Sequence, residues 1–361
     1  MSTTPHKAPL AVICLSHHIG GMELAALKLA NTMRRYVPTT FIVRRGFFID
    51  EQARTNPDYR EIDTVAVDFR SSAGPTLALA VRRIVRERGI ENVIFLGASE
   101  MKALYFAFLG LDIHLIVRHG TIKKTPKTDP FHRLVYSRVA WHIAISKYMA
   151  GNVEKIIPFG KHTRSAVIVP SLAKPISSLP YEPSSTLRLL HAGRVTSGKG
   201  IDKAIEACEI LHRSGIDFRF DNFGPEDPKY TPKLHALLNR IDYRDHIRIR
   251  GFTDAIYDEY PKHDIFIFPT PDEGYGNVMM EAIAHGIIVL AFDNTAISNF
   301  GEMGFHIHLV EDGSLDALKE RLYYIATHLE QERALAFANR EKAARIFSPE
   351  REASQYLERM R

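Results

Sequence analysis

Short apolar runs alternate with amphipathic stretches of helix length, first over about 10–170 and again over about 187–330. In the first series Leu10–Ser16, Thr40–Val43, Val65–Phe69, Asn92–Leu96, Ile113–Arg118 and Trp141–Ile145 read as strands. Met22–Arg35, Pro75–Arg88 and Met101–Leu109 carry apolar residues at helical spacing. Strand–helix alternation of this kind predicts parallel sheets covered by helices, an α/β fold. The second series holds strands Leu187–His191, Asp217–Asn222, His246–Arg250, Asp264–Pro269 and Ile287–Phe292. Helices are expected over Ile201–Arg213, 229–240, 277–285 and 314–329, and closing helices over 331–357 around a break at Phe347-Ser348-Pro349. Between the series lies SLAKPISSLPYEPSST (171–186), with three prolines and five serines. That composition leaves no room for a core element and predicts an interdomain linker. The expected domains are 1–178 and 179–344, with a C-terminal helix over about 345–361 packing back on the first.

Composition adds further constraints. At 361 residues the chain exceeds what one core usually sustains, which agrees with two domains. A 45% hydrophobic and 25% charged composition excludes disordered and collagen-like chains. Cys14 and Cys208 sit in apolar-periodic segments and read as buried thiols of a reducing compartment. The early apolar run Leu10–Leu15 is too short to span a bilayer, so a cytoplasmic protein is expected, at most peripheral at the inner face of the membrane. Charge is uneven. Residues 1–180 hold 25 Lys and Arg against 13 Asp and Glu, and residues 181–361 hold 22 against 29. The basic half suits an anionic partner such as an acidic lipid surface. It lacks the interleaved aromatic and basic residues of single-strand binders, so no nucleic acid is expected.

Two segments carry chemistry. In LRLLHAGRVTSGKG (187–200) a strand runs into a turn rich in glycine, where Arg194 and Lys199 stand before a helix N-terminus. Two cations and a helix N-terminus suit a diphosphate. The same residues also fit a solvent-exposed turn with incidental basic residues. The spacing nearly matches a Walker A loop, but Gly200 stands where Ser or Thr would hold Mg²⁺, so a P-loop nucleotidase is disfavoured. In HDIFIFPTPDEGYGNVMMEAIAHG (263–286) a strand leads to a turn at Pro269–Gly276 and then a helix. Glu273 lies in the turn and Glu281 inside the helix. The first amides of a helix lack intrahelical partners and can serve phosphate oxygens. A carboxylate can accept from both hydroxyls of a diol. Hydroxyls flanking a diphosphate describe a nucleotide sugar. Singly, Glu273 also fits a solvated loop acid and Glu281 a surface helix residue.

The acids Glu273 and Glu281, with EGYGNVMMEAIAHG around them, resemble the E-x7-E motif of retaining glycosyltransferases of the GT-B fold, most closely family 4, the glycosyl transferases group 1 type. GRVTSGKG resembles the GR-x(3–4)-KG turn of the same family. The likeness covers roughly 185–330. It is looser in the first half, where the Gly20-Gly21 turn of HHIGGMELAALKLA carries it. The resemblance implies two Rossmann-like domains facing a central cleft, and a hexosyltransferase that moves a sugar from a nucleotide-diphosphate donor to a glycan or glycolipid acceptor, in cell-envelope polysaccharide or lipopolysaccharide synthesis. It implies that Arg194 and Lys199 neutralise the diphosphate, that Glu281 holds the ribose, and that Glu273 contacts the transferred sugar. Gly274, Tyr275, Gly276, Asn277 and Val278 would cradle phosphate. Phe252 would lie beside the base, Gly20 and Gly21 would border the donor, and His119 resembles the family's active-site histidine. FDNTAISNFGEMGF (292–305) lacks the family's usual glycine-pair-then-glutamate pattern, and Arg118 stands next to that histidine. No D-x-D triplet occurs, so no metal or other cofactor is expected. No carboxylate is evident for a double displacement, which favours same-face substitution. An epimerase or phosphorylase on the same fold, or a non-catalytic protein binding sugar nucleotides or polyanions, stands as the alternative.

Overall fold

The structure, a computed structural model, describes residues 8–18, 20–177 and 179–361. Ile19 of the Gly-Gly segment, and residues 1–7 and Ser178 of the expected first domain, lie outside the described residues. The chain divides into two units, one of residues 1–173 with 347–361 and one of 174–346.

The first unit holds strands β1 (Leu10–Cys14), β2 (Thr39–Arg44), β3 (Asp63–Val67), β4 (Asn92–Leu96), β5 (His114–His119), β6 (Val139–Ala144) and β7 (Arg164–Val167). They form one sheet in the order β3-β2-β1-β4-β5-β6-β7, and every neighbouring pair runs parallel. LAVIC of β1 is buried at every position, as a strand covered on both faces requires. The helix Gly21–Met33 lays Ala26, Leu27, Ala30 and Met33 into the core at helical spacing.

The second unit holds β8 (Leu187–Ala192), β9 (Phe218–Phe223), β10 (Ile247–Gly251), β11 (Ile265–Phe268), β12 (Ile288–Phe292) and β13 (His308–Val310). Their order is β10-β9-β8-β11-β12-β13, again all parallel. In each unit the winding direction reverses once, between β1 and β4 and between β8 and β11. Ligands of open parallel sheets bind outside the strand ends at such a reversal. The two segments singled out in the sequence follow β8 and β11 directly. The reversal therefore sets them side by side.

Three expectations are corrected. The linker was expected to begin at 171, but Ser171 is buried, and its N–H and Oγ donate to Glu352 at 2.9 and 2.6 Å. The Leu172 amide donates to the Phe347 carbonyl, which anchors this segment to the first unit. The expected helix Ile201–Arg213 is two helices, Ile201–Ala207 and Glu209–Arg213. At Cys208 the amide bonds the carbonyl three residues back, Ile205, a local tightening of the helix. The helices Phe48–Thr55 and Lys147–Ile156 and the edge strands β7 and β13 were not expected at all.

The C-terminal helix Pro349–Leu357 packs on Gly21–Met33, where Lys28 and Glu352 form a buried ion pair at 3.3 Å. In the second unit Asp264 gathers Tyr181 Oη at 2.7 Å, Arg333 at 3.0 Å and Arg188 at 3.4 Å, which ties residues 181–188 to β11. His285 closes the helix Asn277–His285. Its Nδ1–H donates to the Glu281 carbonyl at 2.7 Å, and its Nε2 accepts from the Ser177 amide at 3.0 Å. Both bonds need a neutral ring, and burial pushes the imidazole down to about 4. An unfolded histidine takes its proton near 6.5. Stability is therefore complete above about pH 6.5 and is lost as pH falls toward 4, by up to about 3 kcal/mol. Urea unfolding across that window should show a slope to which His285 contributes beside the other buried imidazoles, and His285→Gln should reduce it. An unchanged slope in the variant would remove His285 as a contributor.

Candidate functional site

The site is built on loops that only glycine lets touch. Gly200 has φ +68°, and a Cβ there would sit 1.9 Å from the Pro269 carbonyl oxygen. Gly224 has φ +151°, and its Cβ would sit 2.0 Å from the Gly193 carbonyl oxygen. The loop after β8 is thus held against the loops after β11 and β9 by backbone contact that any side chain would break. Thr270 Oγ1 donates to the Gly198 carbonyl at 3.2 Å across the same seam.

Lys199 and Glu273 meet across this seam. Lys199 Nζ lies 2.6 Å from Glu273 Oε2, with side chains 26% and 19% exposed. Glu273 is further fixed by the Gly274 amide, which donates to its Oε1 at 3.1 Å. The Glu273 amide donates to Thr295 Oγ1 at 3.2 Å. Thr295, in the loop after β12, has φ +44°, the one positive φ of a non-glycine residue among the described residues. Backbone strain of this kind persists where its surroundings over-determine it. Beneath the loop, buried His191 holds the Lys199 carbonyl with Nε2 at 3.0 Å, and its Nδ1 lies 2.7 Å from the Asn222 side-chain amide. Burial holds this imidazole below its ordinary range, hence neutral. Arg194 is exposed at the mouth of the turn.

The helix Asn277–His285 starts at Gly276, whose φ is +89°. Asn277 at its first position is exposed and Val278 half-buried. Tyr275 is buried against Phe300, ring centroids 5.2 Å apart, so only its backbone can face a ligand. Glu281 Oε2 accepts from the Tyr260 hydroxyl at 3.0 Å. Burial and then Glu281 raise that hydroxyl well above the usual phenol range, so it donates at any physiological pH. The His285 ring stacks on Tyr260 at 4.9 Å and completes the support of Glu281. Phe252 follows Gly251 and is 70% exposed, an apolar ring in water.

The other predicted residues belong to the first unit. Gly20 and Gly21 follow β1, and Gly20 has extended backbone before the helix. His119 is the last residue of β5 and is 1% exposed. Its Nε2 lies 2.8 Å from His142 Nδ1. Burial pushes both rings down, His142 to about 3. His119, which resembles the family's active-site histidine, is buried, and burial keeps its imidazole neutral. Sequence reasoning missed His191, Asn222, Tyr260 and Thr295; His191 pairs with Asn222, Tyr260 with Glu281 and Thr295 with Glu273 across 31, 21 and 22 residues of chain. Among the described residues His306, His308 and Glu332 bring three possible metal-ligand atoms together. Both imidazoles bond Glu332 Oε2, at 2.7 and 2.9 Å, which accounts for the cluster as a hydrogen-bonded anchor. No helix of the described residues is long and apolar enough to cross a membrane.

Two such Rossmann-like units define the GT-B fold of glycosyltransferases. A glycosyltransferase from Rickettsia africae ESF-5 is similar over 98% of this chain and 97% of its own, with a TM-score of 0.82 at 17% identity. Anabaena Alr3699/HepE, solved in complex with UDP-glucose, is similar over 97% of this chain and 98% of its own, with a TM-score of 0.76 at 16% identity. Residues 186–328 match the family model described as glycosyl transferases group 1. The amylovoran biosynthesis glycosyltransferase AmsK of Erwinia amylovora is 30% identical over 140 residues, 37% of this chain and 34% of that protein. The chain spans about a third of the length of such curated relatives.

Proposed function

We propose that the protein is a retaining glycosyltransferase that moves a sugar from a nucleotide-diphosphate donor to a glycan or lipid-linked acceptor of cell-envelope polysaccharide synthesis. The observation that carries this is the Lys199–Glu273 pair, which joins the two loops at the β8/β11 reversal beside the first turn of Asn277–His285. The relative named for amylovoran biosynthesis and the fold neighbour solved with UDP-glucose support the donor class and the setting. The basic first half supports an approach to an anionic membrane surface on the cytoplasmic side.

The proposed roles follow from the geometry. Lys199 and Arg194 neutralise the diphosphate, with the Asn277 and Val278 amides as further donors. Glu281, oriented by Tyr260, accepts from the ribose hydroxyls. Glu273 holds Lys199 in place before the donor arrives and contacts the transferred sugar. Gly274 and Gly276 shape the turn, and Phe252 offers a face to the base. Gly20 and Gly21, in the turn after β1, keep the donor-binding role that the resemblance implies. His119 is a positioning residue here, since its ring is buried and its Nε2 is engaged by His142 Nδ1. The acceptor oxygen bonds to the anomeric carbon as the bond from that carbon to phosphate breaks. The departing phosphate takes the hydroxyl proton on the same face.

Two expected results test this. Transfer should persist in EDTA, because two cations and a helix N-terminus supply the charge. Loss in EDTA with recovery on Mg²⁺ or Mn²⁺ would overturn that account. Glu281→Gln should weaken UDP and UDP-glucose alike, by about tenfold or more, because both carry the ribose. Glu273→Gln should weaken UDP less than it weakens UDP-glucose and should lower turnover of the intact donor. Calorimetry and turnover measurements separate the two. No loss for either ligand in Glu281→Gln would remove the ribose role.

A further inference from the structure

The first unit carries a cationic cavity that the roles above leave unused. Its volume is about 180 Å³, and Ser99, Lys102, Lys127, His132 and Tyr136 line it with Ala98. Ala98 and Ser99 lie just past β4, and Lys127 lies in the loop after β5. These strands are parallel neighbours, paired as far as Leu96 and Arg118. The cavity therefore opens at the carboxyl edge of the sheet, where parallel sheets bind ligands.

The loop that brings the lysines is fixed. The Lys123 amide donates to Asn152 Oδ1 and the Asn152 side chain donates back to the Lys123 carbonyl, both at 2.9 Å. The Lys127 amide donates to the Ile156 carbonyl at 2.8 Å. Lys102, Lys123 and Lys127 crowd together, and none of them makes an ion pair with a carboxylate among the described residues. Burial, then Lys127, pushes the Lys123 amine down to about 8. Burial, then Lys102, lowers Lys127, with Asp129 opposing. Asp129 is itself committed to His132, whose Nδ1 lies 2.5 Å from Oδ2 and whose amide donates to Oδ1 at 3.1 Å. The Phe131 and Tyr136 rings lie 5.2 Å from Lys102 Nζ and 5.9 Å from Lys127 Nζ. They ease the desolvation of the amines without neutralising their charge. Three half-buried cations, Lys102 on the helix Met101–Ala107 and Lys123 and Lys127 in the fixed loop, repel one another unless an anion joins them.

We propose that this cavity is a phosphate subsite of the first unit and takes a phosphate group carried by the acceptor sugar. The proposal rests on the glycosyltransferase reading for the word acceptor, and on the cavity alone for the word phosphate. A phosphate monoester carries nearly two charges at neutral pH, which answers the excess of three lysines over Asp129 better than a carboxylate would. Lys102 and Lys127 would grip its oxygens, Ser99 Oγ would donate a further bond, and Lys123 would hold the field from behind.

The test uses the full chain and lysine acetylation read by mass spectrometry, at matched ionic strength. Glucose 6-phosphate and inorganic phosphate should each slow modification of Lys102 and Lys127 by about tenfold, the scale of losing or gaining one charge-assisted contact. Lys155 and Lys161 should be unaffected, and glucose should protect nothing. A Lys102→Gln/Lys127→Gln variant should bind glucose 6-phosphate about tenfold more weakly by calorimetry while keeping its affinity for UDP. Absence of protection in the unmodified chain overturns the subsite, whether or not the variant folds. Protection by inorganic phosphate but not by glucose 6-phosphate overturns the acceptor part. Protection by UDP reassigns the cavity to the donor and also overturns it. If UDP fails to bind at all while phosphate protects, the glycosyltransferase reading falls and the anion site stands.

Discussion

Lys199→Ala should lower the rate of sugar transfer by about two to three orders of magnitude, which corresponds to about 3–4 kcal/mol of transition-state stabilisation. The charge that Lys199 faces grows as the diphosphate leaves, so the loss should appear in kcat as well as in kcat/KM. The fold should survive. The Lys199–Glu273 pair is about a quarter exposed on the lysine side, and such a pair contributes under about 1 kcal/mol to stability. Arg194→Ala should act in the same direction. Because Lys199 and Glu273 touch, their effects should not add. Lys199→Ala/Glu273→Gln should fall short of the product of the two single losses. Near-wild-type turnover in both single cation variants would overturn the diphosphate assignment. Strict additivity in the double variant would separate Glu273 from Lys199.

Glu352→Ala should destabilise the first unit by about 3–5 kcal/mol, the usual cost of leaving one partner of a buried ion pair alone. Lys28 and Glu352 are 9% and 3% exposed in their side chains. Glu352 also accepts from the Ser171 amide and hydroxyl, so its removal orphans two further donors. Lys28 would keep the Ser171 carbonyl as an acceptor but no countercharge. Burial pushes the Glu352 carboxyl up, and Lys28, Arg118 and the Ser171 bonds outweigh it and hold the carboxyl below its ordinary range. The stability it contributes is present above that ordinary range and is lost as pH falls through the lowered value. Hydrogen exchange should show the helix Pro349–Leu357 opening first in the variant, with the second unit unchanged. Lys28→Met/Glu352→Leu should recover part of the loss, since a packed apolar pair can replace a buried ionic one. Full protection of that helix in Glu352→Ala would show that the pair does not hold it.

Much of the fold was legible. Interior strands such as Leu10–Cys14 and Ile288–Phe292 are continuous apolar runs, and Asn277–His285 begins and ends at glycines, so composition marked them. β7 and β13 were not legible. RSAV and HLV are short edge strands with polar or half-buried positions, and an edge strand needs no apolar run to hold its single ladder. The break at Cys208 escaped because the apolar period continues through it.

The sequence by itself determined the twofold α/β alternation, the glycine-framed turns after Ala192 and Phe268, and the residue types that converge there. These are local properties, since a turn needs its own glycine and a strand its own apolar run. Only the tertiary structure decided the rest. It paired Lys199 with Glu273, set Tyr260 under Glu281, buried His119 against His142, and joined Lys28 to Glu352. Each of these contacts joins residues far apart along the chain, and a spacing rule reaches no farther than the element that contains it. The partner of a buried charge or ring is chosen by which loops the sheet order brings to one edge, and that order exists only once the strands have paired.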